Sequence, residues 1–314
     1  MRAVTIVDGA LEWREHPDPE PGAGEIAVAV RAAGISNADL LQRAGFYPPP
    51  PGAPADIPGL EAAGEVVALG PGSTRFAIGD RVMAVLAGGG QAERFVVHER
   101  AAIAVPTPVP WAQAGAIPEN VTTAHDALFT QAGLTMGERL LVHGAAGGVG
   151  SAAVLLGVLA GAAVVATVRD EAKRAAVEAL APGVRAIPQD GFEQHGPFDV
   201  ILELVGAPNV PGDLDALATG GRICVIGVGA GAKAEVNLLT LMAKRGRILA
   251  STLRARPLEQ KADAARRVET SLLPALEDGR LRLPVDRTFP MTEATAAYEH
   301  FAAGGKVGKV VLLV

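Results

Sequence analysis

Apolar and polar positions fall into two patterns along the chain. From residue 1 to about 105, short apolar stretches alternate with turn residues. Glu25–Ala32, Ala63–Leu69, Arg81–Val85 and Arg94–Val97 read as strands, separated by Gly/Pro punctuation such as Pro48–Gly52, Gly70–Gly72 and Gly88–Gly90. This spacing predicts antiparallel β structure, partly barrel-like. From about Leu134 to Ala250 the period changes. Strand-like runs at Leu140–His143, Val164–Val168, Val200–Leu204, Arg222–Gly227 and Arg247–Ser251 alternate with helical patterns at Ser151–Leu159, Asp170–Leu180 and Val210–Ala218. Such alternation predicts a doubly wound parallel sheet. A helix over Leu258–Glu277 and a strand over Lys306–Val314 follow, and both are expected to return to the N-terminal domain. The expected fold class is α/β, with a β-rich domain at 1–117 completed by 256–314 and a doubly wound domain at 118–255.

One stretch tests this reading. Leu140–Val168 holds no Asp, Glu, Lys or Arg, which is long enough for a bilayer span. Four glycines within Gly144–Gly150 split it, and its ends are β-branched while its middle is Ala/Leu-rich. Strand, turn, helix and strand fit better, because parallel strands covered by helices are apolar on both faces. No membrane insertion is expected.

Composition narrows the classes further. With 49% hydrophobic and 20% charged residues over 314 positions, the chain can bury two cores, which excludes intrinsic disorder. A formal charge of −6 argues against a dedicated nucleic-acid binder, which needs a basic face. The single cysteine, Cys224, excludes an internal disulfide framework and any thiolate-rich zinc site. His16, His98, His125, His143, His195 and His300 are scattered, with no pair at ligand spacing, so no metal site is expected. Asp8 interrupts the N-terminal apolar residues before a signal-like stretch develops, and a cytoplasmic location is the expectation.

The strongest local signal is AAGGVG, Ala145–Gly150, between a strand and a helix. A dinucleotide site needs a tight turn there, close approach to a pyrophosphate, and a helix packed near the strand. Gly147 and Gly150 occupy the second and third glycine positions of that fingerprint, and Ala145 replaces the first. Backbone amides at Ala146, Gly147, Gly148, Val149 and Gly150, with the helix dipole, then face phosphate charge. After the second strand, where an acid usually meets the ribose hydroxyls of NAD, this chain has Arg169, with Lys173 a turn later. Two cations suit a 2′-phosphate, so the expected cofactor is NADPH. Asp170 competes with that reading by neutralising Arg169 in a solvated helix start. A second cluster, GVGAG at Gly227–Gly231, lets Gly227 and Val228 approach the nicotinamide, or is an ordinary glycine loop.

The N-terminal half carries a resemblance. Ala32–Val85 (AAGISNADLLQRAGFYPPPPGAPADIPGLEAAGEVVALGPGSTRFAIGDRVMAV) resembles the medium-chain dehydrogenase/reductase superfamily. GAIPENVTTAHDALF (Gly115–Phe129), the glycine turn, KRGRILASTLR (Lys244–Arg254) and GKVVLLV (Gly308–Val314) narrow it to the zinc-independent NADPH:quinone oxidoreductase, zeta-crystallin-like branch. The resemblance implies a GroES-like catalytic domain, a Rossmann domain between its two parts, and an active site in the cleft that separates them. Zinc-dependent members place Cys where this chain has Ser36 and His where it has Leu60, and they add a four-cysteine lobe that is missing here. Simple alcohol oxidation, which uses that Lewis acid, is therefore disfavoured.

What the resemblance implies for single residues has rival readings. Tyr47, ahead of Pro48–Pro51, matches a tyrosine that reaches the nicotinamide side, or else is a loop aromatic packed on prolines. Ser36–Asp39 replaces a motif that begins with Asn in this branch; Asn37 is one place out of register and Ser36 takes the polar role. Asp39 reads as a cap or internal partner. Thr123 matches a threonine near the nicotinamide amide, with Thr122 as the neighbouring alternative in register. Asn120 lines the cleft or caps a helix, and Lys309 is structural. The implied reaction is hydride transfer from NADPH to a quinone or similar conjugated carbonyl. The rivals are an enoyl-thioester or enone reductase, and an NADPH-binding redox-sensing or RNA-associated protein. Lys244–Arg254 resembles the edge through which family members pair sheets, so a homodimer is expected.

Overall fold

The computed structural model describes residues 1–314, which divide into two compact units. The first comprises Met1–Thr122, Leu253–Gly304 and Gly308–Val314; the second comprises Thr123–Thr252 with Gly305–Val307.

The first unit is built on a seven-stranded sheet. Its central strand, Glu25–Ile35, pairs antiparallel with Glu61–Leu69, Arg94–His98 and Lys309–Leu313. Ile26, Val28, Val30 and Ile35 from this strand meet Val66, Phe95, Tyr298 and Leu312 in one core. The last strand thus returns to the centre of the sheet, and Val285–Pro290 pairs parallel beside it. At Gly34 a Cβ would lie 2.2 Å from Glu61 Oε1 and 2.8 Å from the Gly115 carbonyl. Only glycine lets those groups pass so close to the strand.

The first strands of the chain, Arg2–Val7 and Ala10–Glu15, form a hairpin the apolar pattern does not predict. The second strand alternates Leu11 and Trp13 with Glu12 and Arg14, but over too short a run to stand out as a strand. The turn signal is present all the same: Asp8 and Gly9 have φ of 49° and 79°, the left-handed pair that a two-residue hairpin requires.

The second unit has a six-stranded, all-parallel sheet. Across it run Arg185–Ile187, Ala163–Thr167, Arg139–Val142, Phe198–Glu203, Leu217–Val225 and Arg247–Ala250. In chain order this is 3-2-1-4-5-6, the doubly wound arrangement, and the order reverses beside the strand that leads into the glycine turn. Leu141, Val165, Ile201, Leu214 and Ile223 form its core. The charge-free stretch resolves into strand, turn, a helix over Gly148–Leu159 and a second strand. No helix in the protein is long and apolar enough to cross a membrane.

Two expected elements differ. The helix over 170–180 is instead a tight turn, Glu171–Lys173, followed by a short helix, Arg174–Glu178. Asp170 caps the amide of Ala172 at 3.1 Å and fixes that tighter start. The helix from Val210 ends at Ala216, and Leu217 already pairs with Phe198, several residues before the expected strand.

Candidate cofactor and active site

The glycine turn begins where strand Arg139–Val142 ends. His143 donates its amide to the Leu202 carbonyl at 3.0 Å, and Gly144 then takes φ of 61°. Gly147, extended at φ −76° and ψ 173°, precedes the helix Gly148–Leu159. At Gly150 a Cβ would lie 2.4 Å from the Gly144 carbonyl oxygen and 2.7 Å from Ala145 Cα. That position therefore admits only glycine, whereas buried Ala145 is accommodated at the first position. Gly147 is exposed, and Ala146, Gly148 and Val149 are half-buried, so the amides of the first helical turn face an accessible space. The cradle fits a dinucleotide pyrophosphate.

At the end of strand Ala163–Thr167 lie Arg169 and Asp170, both exposed. The rival reading, an Arg169–Asp170 pair, is not what forms. Asp170 accepts from the Ala172 amide and pairs with Lys173 Nζ at 3.4 Å, while Arg169 makes no hydrogen bond or ion pair. The local geometry explains it: the carboxylate is turned along the helix start, toward a residue three positions on.

Gly227 is required by packing. Its Cβ would meet the Leu204 carbonyl oxygen at 2.3 Å, and Gly206, at φ 116°, would meet the Gly231 carbonyl at 2.6 Å. Hydrogen bonds from Ala230 to Val205 (2.9 Å) and Ala207 to Gly231 (2.9 Å) join these loops at the carboxyl ends of neighbouring strands. Val228 stands exposed at the rim.

In the first unit, helix Asn37–Arg43 is started by Ser36 and Asp39. Asp39 accepts from the Ser36 amide (2.7 Å), the Ser36 hydroxyl (2.9 Å) and the Gly59 amide (2.9 Å). Burial pushes its carboxyl pKa upward, against these bonds and the charge of Lys309. Asp39 is thus an internal partner, Ser36 is committed to it, and Asn37 is exposed. Tyr47 is half-buried on the proline loop, and no hydrogen bond occupies its hydroxyl.

Helix Pro118–His125 carries the two threonines. Its start is held by buried Glu61, which accepts from the Glu119 amide at 2.9 Å and from Asn120 Nδ2 at 3.1 Å. Lys309 Nζ pairs with the same carboxylate at 2.6 Å and donates to the Ile35 carbonyl at 2.7 Å. Asn120 therefore neither caps the helix nor lines an open surface: it is buried, with its second bond to Ala116. Thr122 and Thr123 are both buried, and the hydroxyl left without a partner is that of Thr122. The chain then widens into a π-type turn over Asp126–Gln131.

Comparison with known proteins agrees with this geometry. Residues 22–108 match the family described as Alcohol dehydrogenase GroES-like domain, and residues 161–312 that described as Zinc-binding dehydrogenase. The chain is 31% identical to a quinone oxidoreductase of Pseudomonas aeruginosa over 96% of its own length and 95% of that protein. The chain belongs to the medium-chain dehydrogenase/reductase superfamily, in its quinone oxidoreductase branch. It is also 36% identical to Erythronolide synthase EryA2 of Saccharopolyspora erythraea over 97% of its length, but spans only 8% of that protein. A solved NAD-dependent alcohol dehydrogenase superposes with a TM-score of 0.86 at 26% identity, each chain covered in full.

Oxidoreductases of this superfamily bind a nicotinamide cofactor, and the Gly150 cradle fits that group. The zinc of some superfamily members finds no such fit at positions 36 and 60. Ser36 offers only a hydroxyl bound to Asp39, and Leu60 offers no donor. The fold does assemble one group with ligand-type atoms, unforeseen because its members lie far apart in sequence. His143, Glu203 and Asp213 place these atoms within 4.8 Å of one another, all fully buried. Their bonds are internal: His143 meets Asp213 at 2.8 Å and Thr167 at 3.0 Å, and Glu203 holds the amides of Val205 and Gly206 and the side chain of Asn209. Burial raises the Glu203 carboxyl pKa, opposed by His143. The cluster lies just before the glycine turn and fixes the loops beside it.

Proposed function

We propose that this protein reduces a quinone or similar conjugated carbonyl with NADPH, without a metal. The observation that carries the reading is the second sheet strand ending in an unpaired Arg169 beside a glycine cradle. A cation free of partners suits a 2′-phosphate, and Asp170, the acid beside it, is engaged with the Ala172 amide and Lys173.

In this reading the amides of Ala146, Gly148, Val149 and Gly150 hold the pyrophosphate, while Gly147, whose amide is bound to the Gly144 carbonyl at 3.1 Å, shapes the turn, and Arg169, assisted by Lys173, holds the 2′-phosphate. Gly227 and Val228 border the nicotinamide, and Thr122 or Thr123 orients its amide. Bound there, reduced nicotinamide supplies a hydride. The Tyr47 Oη, free of internal bonds, donates toward the acceptor oxygen as that atom gains charge. Ser36, with Asn37 beside it, is the secondary polar group, limited by its bond to Asp39. A conjugated acceptor spreads the incoming charge itself, so positioning and a single donor suffice where an alcohol substrate needs a Lewis acid.

A second reading, reduction of an enone or enoyl thioester, draws on the same free Tyr47 hydroxyl as proton donor, and on the likeness to part of an erythronolide synthase. An acceptor panel of quinones, enones and enoyl thioesters, followed by NADPH consumption, separates the two. Turnover confined to enoyl thioesters selects the second; tight NADPH binding with no turnover rejects both.

The protein is further proposed to be a homodimer. Strand Arg247–Ala250 is a sheet edge with exposed Ile248, and Leu238, Leu239 and Met242 are exposed on the helix before it. The expected segment must be shortened at its end, because Arg254 is buried and engaged within the first unit. A monomer in light scattering at micromolar concentration contradicts the proposal.

A further inference from the structure

Arg254 is an unusual buried cation. It is only 5% exposed, yet no carboxylate bonds it directly, and Asp39 acts on it only through space. Its donors go to neutral acceptors instead: Nε to the Ala87 carbonyl at 2.9 Å, Nη1 to the Tyr47 carbonyl at 3.0 Å, and Nη2 to Gln42 Oε1 at 2.5 Å. Its guanidinium also lies over the Tyr47 ring, 4.8 Å from the centroid. Burying an unpaired charge is unfavourable unless strong hydrogen bonds and a π face compensate, so this arrangement calls for a reason.

The loop it grips supplies one. After Tyr47 come four consecutive prolines, Pro48–Pro51, which have no N–H to donate. The backbone bonds at the start of the loop run from Phe46 and Tyr47 to the Leu41 carbonyl, at 2.9 and 3.3 Å. The Pro50 carbonyl takes the Ala53 amide at 3.2 Å, but a segment that donates nothing is weakly tied, and a fork of guanidinium N–H groups supplies donors from outside it. One side chain thereby connects three places: the Tyr47 loop, helix Asn37–Arg43 through Gln42, and the chain after strand Arg81–Val85 through Ala87.

We propose that Arg254 is a positioning residue that sets the ring orientation of Tyr47 and so aims its hydroxyl at the acceptor. The inference rests on the proposed role of Tyr47 as donor, and it adds the group that fixes the donor's direction. Lysine cannot replace it fully, since an ammonium lacks the planar fork that bonds two loops while stacking on a ring.

The chain's only tyrosines are Tyr47 and Tyr298, which allows a direct test. Tyr298 is fully buried with its hydroxyl on Gln91 at 2.8 Å, so it serves as an internal reference. Carbon-13 NMR of tyrosine-labelled protein should show two resonances. Arg254→Met is expected to shift and broaden that of Tyr47 and leave that of Tyr298 in place. In steady-state kinetics with NADPH and a quinone, the same variant should lower kcat by about ten- to a hundredfold, with little change in the KM for NADPH. Arg254→Lys should recover part of kcat, and Arg254→Met combined with Tyr47→Phe should be no slower than the slower single variant. Should Arg254→Met not fold, Gln42→Leu, which loosens the clamp from its other end, is expected to move the same resonance. An unmoved Tyr47 resonance, or multiplicative losses in the double variant, overturns the clamp. If Tyr47→Phe alone leaves kcat unchanged while Arg254→Met still moves the resonance, the clamp stands and the donor role of Tyr47 fails.

Discussion

Replacing Arg169 tests the cofactor reading through a single charge. The side chain is exposed and unpaired, while its neighbour Asp170 is already engaged with the Ala172 amide and Lys173. A charge-assisted hydrogen bond contributes about 1.5–3 kcal/mol, so Arg169→Ala should lower kcat/KM for NADPH by about 10- to 150-fold. Activity with NADH should stay within about twofold, because no 2′-phosphate is there to lose a contact. Lys173 is a weaker partner. Its side chain keeps 19% of its exposure and is shared with Asp170, and a surface pair of this kind is worth about 0–1 kcal/mol. Asp170→Asn should therefore strengthen NADPH use modestly by releasing Lys173. Arg169→Asp should go further and raise NADH use, since a carboxylate can accept the ribose hydroxyls. The NADPH preference should also shrink as salt rises. Stopped initial rates with both coenzymes measure all of this. Equal losses with NADPH and NADH, or an unchanged ratio, refute the reasoning.

Further outcomes follow from other contacts. Gly150→Ala forces a Cβ to 2.4 Å from the Gly144 carbonyl, and should cost about 1–3 kcal/mol of stability and abolish tight coenzyme binding by calorimetry. Glu138 is 22% exposed and forms a two-point pair with Arg222, at 2.5 and 2.9 Å, which lowers its pKa below the usual 4.5. That stabilisation is complete above the unfolded value and is lost as pH falls through the lower folded one. Glu138→Gln should thus reduce Tm at pH 7, and the gap to the parent should close as melts are taken toward pH 3. Cys224 is buried with its thiol pKa pushed up to about 12, so thiol reagents should label the native protein negligibly and one group per chain after denaturation.

Much of the fold was legible because its signals are local. Strand, glycines and helix lie within a few residues at 139–159, and the requirement for glycine at position 150 is visible in the motif itself. Asp8–Gly9 was equally readable as a hairpin turn, but the strand after it offers only Leu11 and Trp13 as large apolar residues, too short a pattern to stand out. Side-chain networks were not legible. His143 and Asp213 are 70 positions apart, Tyr47 and Arg254 are 207 apart, and nothing in either neighbourhood marks the partner. Asn120 shows why residue type alone misleads: it looked like a cap, yet the helix start is held by Glu61, 59 positions earlier. Such pairings depend on sheet register, which the sequence pattern does not specify.

Metal-free hydride transfer is tested most directly by the rate of NADPH oxidation by a quinone, measured with protein exhaustively treated with a strong chelator and its residual zinc quantified. Undiminished turnover by metal-depleted protein is the predicted result. Loss of turnover on chelation, restored by one equivalent of zinc, would contradict it.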